Sequence, residues 1–197
     1  KRVVFESAAD ITGGNPDLNL EVFVYDVDKR TFIQITNTQH VYDPADADKP
    51  FNQRRVLISV SNNNAALSGD GTRIVFSSNS GTLIPGEAGR NDDGNQEIFI
   101  ATLPLNSTTP ALQRVTTTAA STQASGPTEV FDNHNPTINF NGTLIAFVTN
   151  RKDIPGVTNP DAIAQIVLYD TNTRQFTQVT KKNEADAISG FTFTTCG

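Results

Sequence analysis

Hydrophobic and polar positions alternate in short runs along this chain, and the runs recur. The stretches KRVVFES (1–7), TRIVFSS (72–78) and TLIAFVT (143–149) place Phe5, Phe76 and Phe147 at two successive intervals of 71 residues. Short runs rich in Val, Ile, Phe and Thr with a period of two predict β-strands. Self-similarity at a fixed period predicts repeated units.

The order of segments repeats as well. A polar loop follows each Phe strand, then EVFVYD (21–26), EIFIAT (97–102) or QIVLYD (165–170), then FIQIT (32–36), LQRVT (112–116) or FTQVT (176–180). A fourth segment precedes two of the Phe strands, AALSGDG (65–71) and TINFNG (137–142), each ending in a turn-forming Gly. Four antiparallel strands per unit predict an all-β fold, a β-propeller of four-stranded blades. The units run over residues 1–64, 65–134 and 135–182, and 183–197 supply the inner strand of a further or split blade. FTFTTCG (191–197) ends in Gly197 as the other two end in Gly71 and Gly142, so one blade is expected to be split between the two ends of the chain. The alternation puts Val3, Phe5, Ile74, Phe76, Ile145 and Phe147 on one face, packed between blades, and leaves Arg73 a residue whose loss costs little.

Composition narrows the function classes. The 13 Gly and 10 Pro are scattered among polar connections, as turn-rich β-proteins require. No apolar run reaches the ~18 residues of a membrane helix. The net charge of −6, with no basic cluster larger than pairs such as Arg54/Arg55 and Lys181/Lys182, argues against nucleic acid as a partner. The single Cys196 lies in the last turn and reads as a turn residue or as an intermolecular bridge.

The series AALSGDGTRIVFSS, then GNQEIFIAT and LQRVTTT, resembles the TolB-type propeller repeat, with its Ser-x-Asp-Gly turn, Ile-x-Phe strand, Asn-x-Glu-Ile-Phe strand and Leu-Thr ending. The resemblance implies a propeller, usually of six blades, that works outside the cytoplasm by holding other macromolecules. The connections 39–63 and 117–135 are longer than ordinary blade connections.

Propellers close with about four to eight blades, so three blades leave both flanks open. Either the chain is part of a longer propeller, or copies complete one another by strand addition. The residues expected to carry such an assembly are Val3 and Phe5 on one side and Phe191, Phe193 and Cys196 on the other, giving a closed homo-oligomer or a filament.

Candidate chemistry sits in the loops. NPDLNLE (15–21) and NDDGNQE (91–97) place Asp17, Asn19 and Glu21, and Asp93, Asn95 and Glu97, at alternate positions, a spacing that suits calcium; NPDAIAQ (159–165) lacks it. The other reading is that Asn and Asp close Asx turns and each Glu is a solvated strand residue. His40 and His134 lie in no metal-ligating pair, and no nucleophile elbow or phosphate-cradling loop appears. DNHNP (132–136) reads as a polar turn, and YDPADAD (42–48), with Asp43, Asp46 and Asp48, as a solvated loop. Two sequons start at Asn106 and Asn141. The expectation is a non-enzymatic extracellular or periplasmic propeller that acts as a self-assembling structural subunit or protein-binding scaffold, with calcium as the only cofactor suggested. The alternatives are a calcium-dependent ligand- or carbohydrate-binding propeller and the propeller part of a larger hydrolase.

Overall fold

A computed structural model describes residues 1–86, 91, 93–118 and 133–181. It is built of antiparallel sheets joined in chain order. The first comprises β1 (Arg2–Ser7), β2 (Glu21–Asp26) and β3 (Thr31–Gln34). An excursion follows, with the two-stranded pair β4 (Val41–Tyr42) and β5 (Val56–Ile58) enclosing two single 3-10 turns. The second blade is β6 (Asn62–Leu67), β7 (Arg73–Ser78), β8 (Glu97–Thr102) and β9 (Ala111–Arg114). The third is β10 (Asn133–Ile138), β11 (Leu144–Thr149), β12 (Gln165–Asp170) and β13 (Gln175–Gln178). This is the expected propeller architecture.

The registers of the blades coincide. Phe5 lies opposite Phe23, Phe76 opposite Phe99 and Phe147 opposite Val167. In the first two blades the rings stack at 5.7 and 5.8 Å between centroids. Successive strand residues point to opposite faces, so each blade has one face toward the blade before it and one toward the blade after. Val22 and Val24 of blade 1 meet Ile74, Phe76 and Phe99 of blade 2 in one core. Val75, Ile98 and Ile100 of blade 2 meet Ile145, Phe147 and Val167 of blade 3 in another.

The expected core face is therefore right in register but uneven in burial. Ile74, Phe76, Ile145 and Phe147 are buried, whereas Val3 is 53% exposed and Phe5 only half-buried. The reason is positional: these two face the side of blade 1 on which no described blade packs. Blade 1 also shows three strands where the others show four. Phe191, Phe193 and Cys196 lie outside the described residues.

The inner strands begin earlier than the hydrophobic pattern suggests. Asn62, Asn63 and Asn64 open β6, and Asn133, His134 and Asn135 open β10, so residues 133–136 of DNHNP form strand rather than a turn. Both strands carry a bulge, between Asn63 and Ala66 and between His134 and Thr137. Asn64 and Asn135 sit there at φ of 55° and 50°, the left-handed region that Asn tolerates and Gly favours.

Candidate functional site

The polar residues of each unit are spent on joining one blade to the next. Glu21 and Glu97 are the first residues of β2 and β8 and are wholly buried. This corrects the reading of either as a solvated strand residue. Glu21 accepts hydrogen bonds from the Thr36 hydroxyl, from Thr38 N (2.6 Å) and Thr38 Oγ1 (2.8 Å), and from Asn62 Nδ2 (3.0 Å) in the inner strand of the next blade. Glu97 repeats the pattern with the Thr116 hydroxyl, Thr118 N (2.5 Å), Thr118 Oγ1 (2.7 Å) and Asn133 Nδ2 (3.1 Å). Burial pushes both carboxyls above their ordinary range, and the Thr and Asn donors pull in the opposite direction. Gln165 stands at the corresponding place in blade 3, where Thr180 Oγ1 donates to its Oε1 at 2.6 Å. The residue equivalent to Asn62 and Asn133, nine before the conserved-in-repeat Gly, is Ile188 before Gly197.

An arginine repeats the junction at the other end of the strands. Arg2 Nη1 donates to Gly71 O (3.0 Å) and Leu103 O (2.5 Å), reaching from blade 1 onto the hairpin turn of blade 2. Arg73 Nη1 donates to Gly142 O (2.8 Å) and Thr171 Oγ1 (2.9 Å), from blade 2 onto blade 3. Arg73, expected to be a residue whose loss costs little, thus holds two hydrogen bonds across a blade junction. The turn it grips needs Gly, because a Cβ on Gly142 would lie 2.5 Å from Arg73 Cδ. Leu144 occupies the same position in blade 3.

The loops before β2, β8 and β12 are turns with a common lock. The side-chain amides of Asn15, Asn91 and Asn159 donate to the carbonyls of Asn19 (2.9 Å), Asn95 (2.6 Å) and Ile163 (2.7 Å). Leu18, Gly94 and Ala162, three residues on in each, take φ of 55°, 70° and 52°. Asn19 and Asn95 turn their amide donors toward Thr38 Oγ1 and Thr118 Oγ1, both at 2.9 Å. Asp17 Oδ2 accepts from His40 N at 2.8 Å and from Tyr42 OH at 3.3 Å. Burial, with the Asp17 charge beside it, pushes the Tyr42 hydroxyl up to about 12. Asp93 is exposed. In unit 1 the oxygens Asn15 Oδ1, Asp17 Oδ1 and Asn19 Oδ1 are buried with no hydrogen-bond partner among the described residues; of their counterparts in unit 2, Asn95 Oδ1 shares this state.

Between blades 1 and 2 a cleft of about 550 Å³ opens beside the β4–β5 excursion, lined by Asn37, His40, Val41, Ile58, Asn79 and Asn91 among others. His40 Nδ1 accepts from Val60 N at 2.9 Å, so the neutral ring carries its proton on Nε2. Arg54 lies 4.4 Å above the Phe51 ring, and Asp43 and Asp46 pair with Arg55 and Lys49. YDPADAD is thus a largely exposed turn that carries ion pairs. Neither the His40 nor the His134 imidazole is hydrogen-bonded to a hydroxyl or carboxylate among the described residues, and no group of three or more His, Cys, Asp or Glu there is disposed around a common point.

Repeated four-stranded sheets with matched registers and blade-to-blade cores define the molecule as a run of β-propeller blades. No family model and no curated protein matches the chain. Among solved structures it is similar to TolB from Acinetobacter baumannii, with 17% identity, a TM-score of 0.45, and coverage of 91% of this chain and 30% of that one. It is also similar to a putative TolB from Agrobacterium tumefaciens (13% identity, TM-score 0.48, 90% of this chain and 44% of that one). Tricorn protease shows 12% identity and a TM-score of 0.43 over 90% of this chain and 11% of that one. The chain spans less than half the length of each.

Proposed function

We propose that this chain is a non-catalytic β-propeller module of the exported compartment, a self-assembling scaffold completed by strand exchange between copies. One observation carries the reading: blades 2 and 3 have four strands, while blade 1 has three and presents the edge of β1 without a partner among the described residues. An unpaired strand edge is a template for another strand. The apolar residues of that flank, Val3 and Phe32, are about half-exposed, while their counterparts Ile74 and Leu112 are covered by the neighbouring blade. Deleting residues 191–197 tests the reading, since it should abolish association of an otherwise folded chain. Unchanged association after the deletion would refute strand exchange by this segment.

A second reading draws on the three orphaned oxygens of Asn15, Asp17 and Asn19. Oxygens of this kind at alternate positions suit calcium or a buried water, and with calcium bound the adjoining neutral, amide-rich cleft would be a calcium-dependent ligand site. The carboxylates of Glu21 and Glu97 contribute little to it, because donors of the chain already occupy their oxygens. A chelator that lowers the melting temperature, reversed by calcium and abolished in Asp17→Asn, would favour this reading. Superimposable melting curves at matched ionic strength would remove it.

A further inference from the structure

The connection that leaves blade 1 runs along the cleft with only one of its two edges paired. Thr38 N donates to Glu21 Oε1 at 2.6 Å and His40 N to Asp17 Oδ2 at 2.8 Å, both back into blade 1. Thr38 O accepts from Asn19 Nδ2 at 3.2 Å on that same side. The side chains alternate as well, Thr36 and Thr38 being buried and Asn37, Gln39 and Val41 exposed. In an extended chain the N–H and C=O of one residue point to one edge and those of the next residue to the other. The backbone groups of Asn37 and Gln39 therefore face away from blade 1. Neither they nor the side-chain amides of these two residues have a hydrogen-bond partner among the described residues.

That edge is covered a step further on and then released. Val41 pairs with Ile58, Tyr42 with Val56, and Asp43 N donates to Arg55 O at 2.9 Å, so β5 lies along the side to which Asn37 and Gln39 point. The ladder stops there because the chain beyond Ile58 is drawn off to blade 2. Asn79 holds that departing backbone at two points, its Oδ1 accepting from Ser61 N and its Nδ2 donating to Ser59 O, each at 2.9 Å. Val60 N is taken by His40 Nδ1 and Asn62 N by Leu20 O, both at 2.9 Å. Where β5 would have continued, the cleft of about 550 Å³ opens, lined by the continuous run 37–41 of blade 1 and the run 79–82 of blade 2.

We propose that this cleft takes an extended, uncharged peptide segment, which adds as a strand to the edge at Asn37 and Gln39 in line with β5. The two residues present their N–H and C=O groups about 7 Å apart, the repeat of alternate residues in a strand, which another peptide backbone matches. An apolar side chain of the segment rests on Val41 and Ile58, which face each other across the ladder and are both exposed. No Asp, Glu, Lys or Arg lines the cleft among the described residues, so a charged side chain would lose hydration there without gaining a partner. A sugar would find amides but no broad aromatic face, since the one ring lining the cleft among the described residues is that of His40. The volume falls within the roughly 300–1,000 Å³ of ligand sites. The site requires neither association of copies nor calcium.

The test is selection of a displayed library of random uncharged heptapeptides on the whole chain, with chelator in the buffer, followed by amide hydrogen exchange. In the free chain the amides of Asn37 and Gln39 should exchange faster than those of Thr38 and His40. A selected peptide should slow the first two by about tenfold or more and leave the second two unchanged. Methylating the peptide's backbone nitrogens one at a time should weaken binding at alternate positions only. Gln39→Pro removes the edge N–H and should weaken binding about tenfold or more, while Gln39→Ala keeps it and should hold binding within about threefold. Circular dichroism checks that both variants fold, and the methylation series decides the matter if the proline variant does not. A selection that enriches no peptide, or peptides that leave exchange at Asn37 and Gln39 unchanged, would overturn the site. Protection of these two amides by a neutral oligosaccharide, maltohexaose, but by no peptide, would overturn the peptide as the ligand. Binding that survives Gln39→Pro in a folded chain and ignores the methylation pattern would overturn strand addition. These readouts are the same for a monomer and for an assembly, so failure here leaves the self-assembly reading standing.

Discussion

Replacing Glu97 by Gln removes one charge and turns one buried acceptor into a donor. Thr116, Thr118 and Asn133 all direct hydrogens at the carboxylate, and Asn95 Nδ2 adds a fifth contact at 3.3 Å. The Gln amide nitrogen would face a hydrogen from Thr116 or Asn133 in place of a lone pair. Hydrogen bonds to a charged group contribute about 1.5–3 kcal/mol each, and the substitution also relieves the burial of charge, so a net loss of about 1.5–3 kcal/mol is expected. Urea unfolding at pH 7 reads this directly. Because Asn133 belongs to the next blade, the loss should couple to Asn133→Ala by about 1 kcal/mol or more in a double-mutant cycle. The sign with pH also follows. A carboxyl raised above 4.5 in the folded state binds protons that the unfolded chain has released, so its contribution to stability falls as pH rises from 4.5 through the raised value. The advantage of wild type over Glu97→Gln should therefore narrow over that interval. A loss under about 0.5 kcal/mol, or additivity with Asn133→Ala, would refute the buried junction.

Phe76→Ala should cost about 3–5 kcal/mol, since the ring is fully buried against Phe99, whereas Phe5→Ala should chiefly weaken association; a loss below about 1 kcal/mol for Phe76 in urea unfolding would mean the face is misassigned. Arg73→Leu, which copies Leu144, should cost about 1–2 kcal/mol through the lost grip on Gly142 and Thr171, and a neutral result would show that the grip carries no stability. Leu18→Gly should raise the melting temperature slightly, by up to about 1 kcal/mol in stability, because Leu18 is exposed and held at φ 55° where unit 2 has Gly94; a fall would show that the side chain matters. Asp26, Asp70 and Asp170 lie below their ordinary 3.8, held chiefly by the Lys29 N–H, the Ser68 hydroxyl and the Thr173 N–H. They contribute stability above 3.8 that is lost as pH falls through that region, so Asp70→Asn should flatten the acid limb of the stability profile.

The strands that alternate cleanly were legible in the sequence. EVFVYD, EIFIAT and QIVLYD coincide with β2, β8 and β12 residue for residue, because apolar side chains on both faces leave no other element that would bury them. The inner strands were legible only in their second halves. Asn62–Asn64 and Asn133–Asn135 resemble loop because the side chains of Asn62 and Asn133 bond to the preceding blade and the backbone bulges, which hydrophobic periodicity does not register. Glu21 and Glu97 looked solvated for the same reason. The recurring signal for their burial was present in paired Thr residues, Thr36 and Thr38 and again Thr116 and Thr118, placed alike just after the strand that ends each of the two units. The β4–β5 excursion was visible only as a long connection, since its apolar residues Val56, Leu57 and Ile58 remain exposed and form no repeat.

The mass of the purified chain in solution is the most direct measurement of the central claim. Multi-angle light scattering at neutral pH, on material shown by circular dichroism to be folded, should give about twice the 21.3 kDa chain mass for a closed pair, or a larger polydisperse mass for a fibre. A homogeneous species of 21.3 kDa that unfolds in one cooperative step would contradict the claim, since it would show that the flank of Val3 and Phe5 needs no second copy to cover it.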